Sequence, residues 1–375
     1  MYRLGTALQR TGRIEAAREP FEQLAALGPG SEYRGRGLAK LAEIEEAAGR
    51  DSAAVDVLTR LVESDADRAA KVGAPMRIAR LELVRGRGAQ ALAWLDRLES
   101  EEPDADRTAL RVSALAATGR TGAGAELLES LSRGFPDRGQ LIAEARLDLA
   151  DAYAGAGRSD AAVESYRTAA SETADPHLRA RAAYGEGIAH ARAGRLDDAR
   201  ASWDVARRVA PSSSWAAEAL YKLGGLAARE GEAARAQEAF AALVDGFPGH
   251  EKAPDALKAE ARAWREMGRF DEALGIYHRV LEEYPDVAGS EDVLSNIAYC
   301  HHELGQYEVA IAAYERVQPY LDEEGQGYAQ FWIADSLDRL NRHEEAAAAF
   351  LRIPYLYPGV GQLPVTAQLK ACLLY

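Results

Sequence analysis

The sequence has very little cysteine and no long hydrophobic run. Cys300 and Cys372 are the two cysteines in 375 residues. They are too few for a disulfide framework and wrongly spaced for a metal site. No stretch approaches the roughly 18 uncharged apolar residues of a membrane-spanning helix. We therefore expect no structural disulfide and no direct membrane insertion of this segment.

The sequence also has fewer basic than acidic residues. The chain has 45 Lys and Arg against 59 Asp and Glu, a formal net charge of -14. This balance argues against a protein that mainly binds nucleic-acid phosphates or anionic membranes, and we expect no nucleic-acid partner. The 47% apolar share is too high for a disordered chain. The length therefore predicts two or three compact domains or one long repeat array.

Instead, the sequence has a repeating turn. A glycine followed by Arg, Gln or Glu recurs every 33 to 38 residues, and an asparagine takes the tenth place. Asparagine also accepts the left-handed conformation that such a turn requires. The ten turn positions are Gly12, Gly49, Gly86, Gly119, Gly157, Gly194, Gly231, Gly268, Gly305 and Asn341.

Small and large residues follow the same period. A small residue lies five positions after each turn and a large apolar or aromatic residue nine positions after it, as in Ala236 and Phe240. Seven positions before the turn, nine of the ten repeats have Gly or Ala; Val112 is the exception. Small residues at helical spacing allow two helix axes to approach closely. Seven repeats have a proline seventeen residues after the turn, at Pro29, Pro103, Pro136, Pro211, Pro248, Pro285 and Pro358. Each repeat is therefore predicted to be a helix, a tight turn, a second helix and a stop.

This pattern resembles the tetratricopeptide repeat over nearly the whole chain. Repeat seven carries the fullest version of the family signature, with Leu220, Leu223, Gly224, Gly231, Ala236, Phe240 and Pro248. The resemblance implies an all-α fold, a right-handed α-solenoid (superhelix) of about ten helical hairpins plus a partial eleventh. It also implies a non-catalytic scaffold that binds a peptide or protein.

We divide residues 1–375 as a single solenoid. The predicted repeats are 1–32, 33–69, 70–105, 106–139, 140–177, 178–214, 215–251, 252–288, 289–325 and 326–361, with a partial repeat at 362–375. Both ends lack the polar capping elements that solenoids need. We therefore expect this chain to be part of a longer protein.

Four repeats end in Phe-Pro or Tyr-Pro: Phe135-Pro136, Phe247-Pro248, Tyr284-Pro285 and Tyr357-Pro358. Repeats of this length and ending are similar to those of bacterial cell-envelope tetratricopeptide proteins, such as the Tol-Pal coordinator and the outer-membrane assembly lipoprotein. That resemblance implies a periplasmic or outer-membrane-associated scaffold. The alternative is the sensor segment of a cytosolic bacterial regulator, or of a larger enzyme whose catalytic domain lies outside these residues.

The sequence contains few candidates for a catalytic, phosphate-binding or metal-binding site. Its glycines follow the repeat period and form no phosphate-binding loop. Cys300, His301 and His302 are consecutive, and on a helix their side chains point about 100° apart, so they cannot converge on one metal ion. We interpret them as a packed cysteine and two helix-face histidines. We expect no enzyme activity, no cofactor and no metal site.

The remaining candidate is a groove on the first helices. In the tetratricopeptide family the first helices line the concave surface, and counting back from each turn places cations and aromatic residues there in repeats six to nine. The predicted partner-binding residues are Arg181, Tyr184, Arg192, Tyr221, Arg229, Lys258, Arg262, Arg265, Tyr299 and His302. Arginine pairs with carboxylates and tyrosine offers rigid contact area, so this groove favours an acidic peptide. Alternatively, these arginines only keep an alanine-rich surface solvated.

Overall fold

The predicted all-α fold is confirmed. The computed structural model describes residues 1–28, 31–98, 104–285 and 291–374, and these form α-helices, one short 3-10 helix and no strand. The α-helices are α1 Tyr2–Arg10, α2 Ile14–Ala25, α3 Glu32–Ala47, α4 Asp51–Ser64, α5 Ala66–Lys71, α6 Ala74–Val84, α7 Gly88–Asp96, α8 Ala105–Ala117, α9 Thr121–Gly134, α10 Gly139–Gly155, α11 Ser159–Glu172, α12 Pro176–Arg192, α13 Leu196–Val209, α14 Ser214–Arg229, α15 Ala233–Gly246, α16 Ala253–Glu266, α17 Phe270–Glu283, α18 Glu291–Glu303, α19 Tyr307–Val317, α20 Glu323–Arg339, α21 His343–Leu356 and α22 Leu363–Leu374.

All ten predicted turns are present. Each turn residue has a positive φ, from 60° at Asn341 to 76° at Gly194, in the left-handed region that glycine and asparagine tolerate best. The turn joins a first helix to a second helix, as α14 is joined to α15 at Gly231. The chain therefore reverses direction ten times at the predicted residues.

The small and large residues pack as the spacing predicts. All ten large residues are at most 4% exposed, and the alanines five positions after the turn are fully buried. At Gly224, a Cβ atom would come within 2.7 Å of the Phe240 ring. The second helix thus places its large side chain against a position on the first helix where there is no room for another carbon.

The helix ends agree with the proline pattern where the structure describes them. The second helices α9, α15, α17 and α21 each end two residues before their proline, at Gly134, Gly246, Glu283 and Leu356. Two predicted closures, Pro29 and Pro103, lie outside the described residues. The short helix α5, between repeats two and three, was not predicted.

The chain forms two compact units, Met1–Val209 and Ala210–Tyr375. Each unit is a row of helical hairpins, and each contains its own clusters of buried apolar residues. The single continuous solenoid stays a prediction. Among the described residues, no helix is both long and apolar enough to cross a membrane.

Candidate functional site on the first-helix face

The predicted groove positions lie thirteen, ten, six, three and two residues before each turn. We call the surface that these positions form, together with the residues beside them that contact the next hairpin, the first-helix face. In the N-terminal unit, an arginine on this face connects two repeats. The Arg181 guanidinium on α12 pairs with Asp148 Oδ1 at 2.9 Å and with Asp151 Oδ2 at 2.7 Å, both on α10. Burial opposes the charge of Arg181, but the two carboxylates outweigh it and raise the pKa of that guanidinium.

In the C-terminal unit the same two positions of successive repeats form an ion pair, but the acidic and the basic residue have exchanged places. Arg262 on α16 pairs with Asp292 on α18 at 3.5 Å. One turn later, the Arg265 guanidinium donates to Asn296 Oδ1 and lies 5.5 Å from the centre of the Tyr299 ring. The Lys258 ammonium pairs with Asp255 on its own helix at 2.9 Å. The predicted groove cations of repeats six and eight are therefore already paired within the chain.

The other predicted groove residues have different surroundings. Arg192 donates to the Ala154 carbonyl oxygen at 2.8 Å. Arg229 is exposed and has no hydrogen bond or ion pair with any residue that the structure describes. The Tyr221 ring packs edge-on against Phe240, and Tyr184 is half-buried. Of this group, Arg229 is an exposed charge without a partner among the described residues.

Tyr299 belongs to an aromatic cluster in repeats eight to ten. Its ring centre lies 5.1 Å from that of Trp332 and 6.1 Å from that of Phe270, both edge-on. Burial raises the pKa of the Tyr299 phenol, and the nearby Glu303 carboxylate raises it further. The phenol therefore stays protonated, and its half-buried ring is part of the packing between repeats.

His302 is buried in the same region. Its side chain is 6% exposed, so it is not the ordinary surface histidine that we expected. Nδ1 lies 2.9 Å from Ser336 Oγ, and the Ser336 hydroxyl itself donates to the Trp332 carbonyl oxygen. Nδ1 must therefore carry the proton of this hydrogen bond. Nε2 faces Asp335 Oδ2 at 3.5 Å.

The charges around His302 come from three helices. Glu303 lies on α18, Asp335 and Arg339 on α20, and Lys370 on α22. Burial lowers the pKa of His302, and although the two carboxylates oppose this effect, the pKa stays below its ordinary value of 6.5. The folded chain therefore binds a proton at this residue less readily than the unfolded chain does.

This shift predicts a pH-dependent stability. The contribution of His302 is present above the ordinary histidine pKa and is lost as the pH falls below it, because the unfolded chain then binds more protons. We expect the urea midpoint to fall more between pH 7 and pH 5 in the wild-type chain than in His302→Gln. The exposed His278 supplies the control, since His278→Gln should retain the wild-type pH dependence. Equal slopes for all three proteins would contradict the assigned shift.

The structure shows a cleft that the sequence reasoning missed. It has a volume of about 420 Å³ and lies on α6, α8 and α10, the first helices of repeats three to five. It is lined by Arg80, Leu83, Val84, Asp106, Ala109, Leu110, Ser113, Leu141, Glu144, Ala145 and Asp148. All of these except Leu141 lie at or next to a predicted groove position.

Part of the cleft lining is apolar. Leu83, Leu110 and Leu141 are half-buried, and Val84 is 73% exposed. Arg80, another lining residue, is exposed and pairs with no described residue. Solvent-accessible apolar side chains with a free cation among them can hold a large side chain of another molecule.

The carboxylates of the cleft are mostly paired. Asp106 accepts two hydrogen bonds from Arg138, at 3.1 and 3.2 Å. Asp148 Oδ2 accepts from Ser113 Oγ at 2.6 Å, and Asp148 Oδ1 pairs with Arg181. These bonds fix the acidic side of the cleft in the absence of any ligand.

The described residues contain no cluster of three or more His, Cys, Asp or Glu side chains that could hold a metal ion. Burial raises the pKa of the Cys300 thiol to about 11, so it is protonated at neutral pH and is a poor nucleophile.

Comparison with known proteins agrees with the repeat architecture. One tetratricopeptide repeat model matches residues 2–69, 110–178, 147–214, 184–251 and 303–360, and a second matches 265–329. No curated protein matches the chain. Together the model matches cover well over half of the residues.

Three solved structures are similar to parts or most of the chain. The apo form of RapI is 12% identical with a TM-score of 0.50, over 80% of this chain and 96% of that one. Yeast Tom70 is 15% identical with a TM-score of 0.37, over 99% and 94%. The MamA protein is 23% identical with a TM-score of 0.37, over 49% and 96%. At these identities the RapI match concerns the fold alone, and the other two carry no argument.

The matches support the repeat in general and not the narrower resemblance to the Tol-Pal coordinator or the outer-membrane assembly lipoprotein. The tetratricopeptide fold is generally a non-catalytic scaffold for protein–protein contacts. With ten turns, ten small and large pairs and these model matches, the chain belongs to the tetratricopeptide repeat family.

Proposed function

We propose that this protein is a non-catalytic scaffold that binds a peptide or protein segment on its first-helix face. The observation that carries the proposal is the cleft of repeats three to five. Its volume of about 420 Å³ suits one or two apolar side chains, at the lower end of the usual range for binding pockets. An extended or helical segment can anchor such side chains in a groove between helices.

The same proposal extends to the C-terminal unit. There the face presents Tyr221, Lys258, Arg262, Arg265 and Tyr299, which we predicted from the sequence as binding residues for an acidic partner. Since Arg265 bonds to Asn296 and lies over Tyr299, reversing its charge would also disturb the contact between two repeats. Arg262 is half exposed and only weakly paired, so it is the better residue for a test of binding.

Val84→Glu tests the cleft. Peptides are selected from a displayed library against the wild-type chain, and their affinities are then measured by titration calorimetry. We expect Val84→Glu to weaken the selected peptides by about tenfold or more, because a carboxylate enters an apolar contact. Val84 is 73% exposed in the free chain, so the substitution should not disturb folding.

Val205→Glu is the matched control. Val205 is 40% exposed on α13, a second helix of the same unit, and its replacement should leave the affinities unchanged. If both variants bind like the wild-type chain, or if Val205→Glu weakens binding as much as Val84→Glu, the cleft is not the binding surface.

We further propose that the protein is part of a bacterial envelope complex. The support is limited to the Phe-Pro and Tyr-Pro repeat ends, such as Phe247-Pro248 and Tyr284-Pro285. The alternative is a cytosolic regulator or a larger enzyme that uses these repeats as a sensor. The gene sequence upstream of Met1 separates them: a signal peptide or lipobox supports the envelope, whereas a DNA-binding or kinase domain supports the regulator.

A further inference from the structure

The six turns of the N-terminal unit lie side by side along its row of hairpins. Among the described residues, an arginine at one turn bonds to the start of the second helix of the preceding repeat in four neighbouring pairs. The bonds join Arg50 Nη1 to Glu15 Oε1 at 2.8 Å, Arg85 Nη2 to Ser52 Oγ at 3.2 Å, Arg158 Nη1 to Thr121 Oγ1 at 3.4 Å and Arg195 Nη1 to Asp160 Oδ1 at 3.0 Å. We call the residues from one position before each of these six turns to two positions after it the turn edge.

The turn edge is basic and consists mostly of small residues. Its 24 residues include seven arginines, one acid and two large apolar residues, and the other fourteen are Gly, Ala, Ser or Thr. The same positions at the four turns of the C-terminal unit have two basic and two acidic residues. Small neighbours leave the guanidinium groups accessible to a broad partner. The arginines are Arg13, Arg50, Arg85, Arg87, Arg120, Arg158 and Arg195.

The net charge of the whole chain does not reveal this edge. The N-terminal unit has 31 Lys and Arg against 33 Asp and Glu, whereas the C-terminal unit has 14 against 26. The acids of the N-terminal unit collect in the linkers, at the other end of the hairpins. The 25 residues that lie fifteen to nineteen positions after its first five turns include eight acids and two arginines. The argument from total charge against anionic membranes therefore applies to the C-terminal unit and not to the turn edge.

Three arginines of the turn edge face no carboxylate among the described residues. Arg13 and Arg120 are exposed, and their guanidinium groups bond to no residue that the structure describes. Arg158 is also exposed, and its guanidinium lies 4.6 Å from the centre of the Tyr153 ring. The edge thus carries positive charge that its own acids do not neutralise. The other four arginines pair with Glu15, Glu45, Glu82 or Asp160.

Two large apolar side chains lie beside these arginines. Ile14 follows Arg13 and is 41% exposed, and Leu196 follows Arg195 and is 36% exposed. Each is the first residue of a second helix. An anion in solution needs the arginines alone. At an anionic membrane, basic residues contact the headgroups and apolar side chains enter the boundary with the acyl chains, so both kinds of residue are used.

We propose that the turn edge of the N-terminal unit binds the surface of a membrane that contains anionic phospholipids. Arg13, Arg120 and Arg158 contact the phosphate groups, and Ile14 and Leu196 enter the boundary between headgroups and acyl chains. The contact is peripheral. It leaves the groove positions of the first-helix face free for a peptide or protein, because the last of them lies two residues before each turn. The membrane contact and the binding of a partner in the cleft therefore stand or fall separately.

Flotation of the whole chain with lipid vesicles tests the proposal. The vesicles contain phosphatidylcholine and phosphatidylserine in a ratio of about two to one, and vesicles of phosphatidylcholine alone serve for comparison. We expect binding to the anionic vesicles only, and weaker binding at higher salt. Arg13→Gln combined with Arg120→Gln should lower the partition coefficient about thirtyfold, since each arginine near such a surface contributes about fivefold.

Arg133→Gln combined with Arg208→Gln is the matched control. Both arginines are exposed in the last turn of a second helix, at the end of the hairpin away from the turn edge. Their guanidinium groups donate to the backbone carbonyl oxygens of Glu129 and Asp204. This variant loses the same charge as the first, and its vesicle binding should equal that of the wild-type chain. Circular dichroism should show wild-type helicity in both variants.

Ile14→Ser combined with Leu196→Ser distinguishes a membrane from a soluble polyanion. We expect it to weaken vesicle binding about tenfold, because two apolar side chains no longer enter the lipid. Both side chains are more than one-third exposed in the free chain, so helicity should be retained. A contact made by charge alone would be unaffected by this variant.

Four outcomes would overturn the proposal. The first is that the wild-type chain fails to bind the anionic vesicles. The second is an equal partition coefficient for the Arg13 and Arg120 variant and its matched control, since binding would then follow total charge and not the turn edge. The third is vesicle binding that does not depend on Ile14 and Leu196. The fourth is binding of single-stranded DNA that is lost in the Arg13 and Arg120 variant, without vesicle binding, which would assign the edge to a nucleic acid.

Discussion

Gly224→Leu should lower the free energy of unfolding by about 3 kcal/mol, the upper end of the usual cost of overpacking a core. A Cβ atom at Gly224 would lie 2.7 Å from the Phe240 ring, and Phe240 is itself 3% exposed and enclosed by its neighbours. The ring cannot move aside without opening the contact between α14 and α15. Urea unfolding followed by circular dichroism at 222 nm measures the change.

Gly225→Ala is the control for this prediction. Gly225 is the next residue of the same helix, but a Cβ atom there would meet nothing within 4 Å. Because alanine is the better helix former, we expect a gain of about 0.5 to 1 kcal/mol. If both variants change stability in the same direction, the assigned helix contact is wrong.

Phe350→Ala should have an equally large or larger effect, with a loss of about 3 to 5 kcal/mol. Phe350 on α21 is fully buried, and its ring packs edge-on against Phe331 at 5.4 Å between centres. Lys370 on α22 lies 5.8 Å from the same ring centre. Removal of the ring leaves a cavity at the point where three helices meet.

Leu351→Ala provides the comparison at the next residue. Leu351 is 46% exposed, and a surface substitution of this kind usually changes stability by about 0.5 kcal/mol or less. Thermal unfolding of the two variants side by side measures the difference. A similar loss of stability in both variants would contradict the register assigned to the tenth repeat.

The hairpins could be predicted because their causes are local. A residue with positive φ, such as Asn341, ends one helix within a few positions, and the Gly224 and Phe240 pair requires only that two consecutive helices pack closely. The turn residue recurs ten times and the small residue seven positions before it nine times, so the pattern is distinguishable from chance matches in an alanine-rich chain. The helix α5 carries no repeated signal and was therefore missed.

The pairing of charges on the first-helix face could not be predicted in the same way. The sequence places Arg262 and Asp292 at defined positions of their own helices. Whether their side chains meet depends on the offset between successive first helices, which no single repeat encodes. The structure shows that this offset brings the residue six positions before the turn of one repeat near the residue thirteen positions before the turn of the next repeat. Asp151 and Arg181 are one such pair.

The cleft was missed for a different reason. The sequence prediction depended on a contrast in charge, which favoured repeats six to eight, whereas the cleft depends on small side chains. Ala109 and Ala145 lie on its walls at or beside positions where a larger residue would fill the space. The same register, applied to repeats three to five, would have pointed to Leu83, Val84 and Ala109.

The central claim is that the first helices, and not the second helices, hold the partner. Hydrogen exchange of the wild-type chain with a library-selected peptide, followed by mass spectrometry, tests it most directly within the N-terminal unit. We predict slower exchange in α6, α8 and α10 and unchanged exchange in α7, α9 and α11. Protection confined to the second helices would contradict the account.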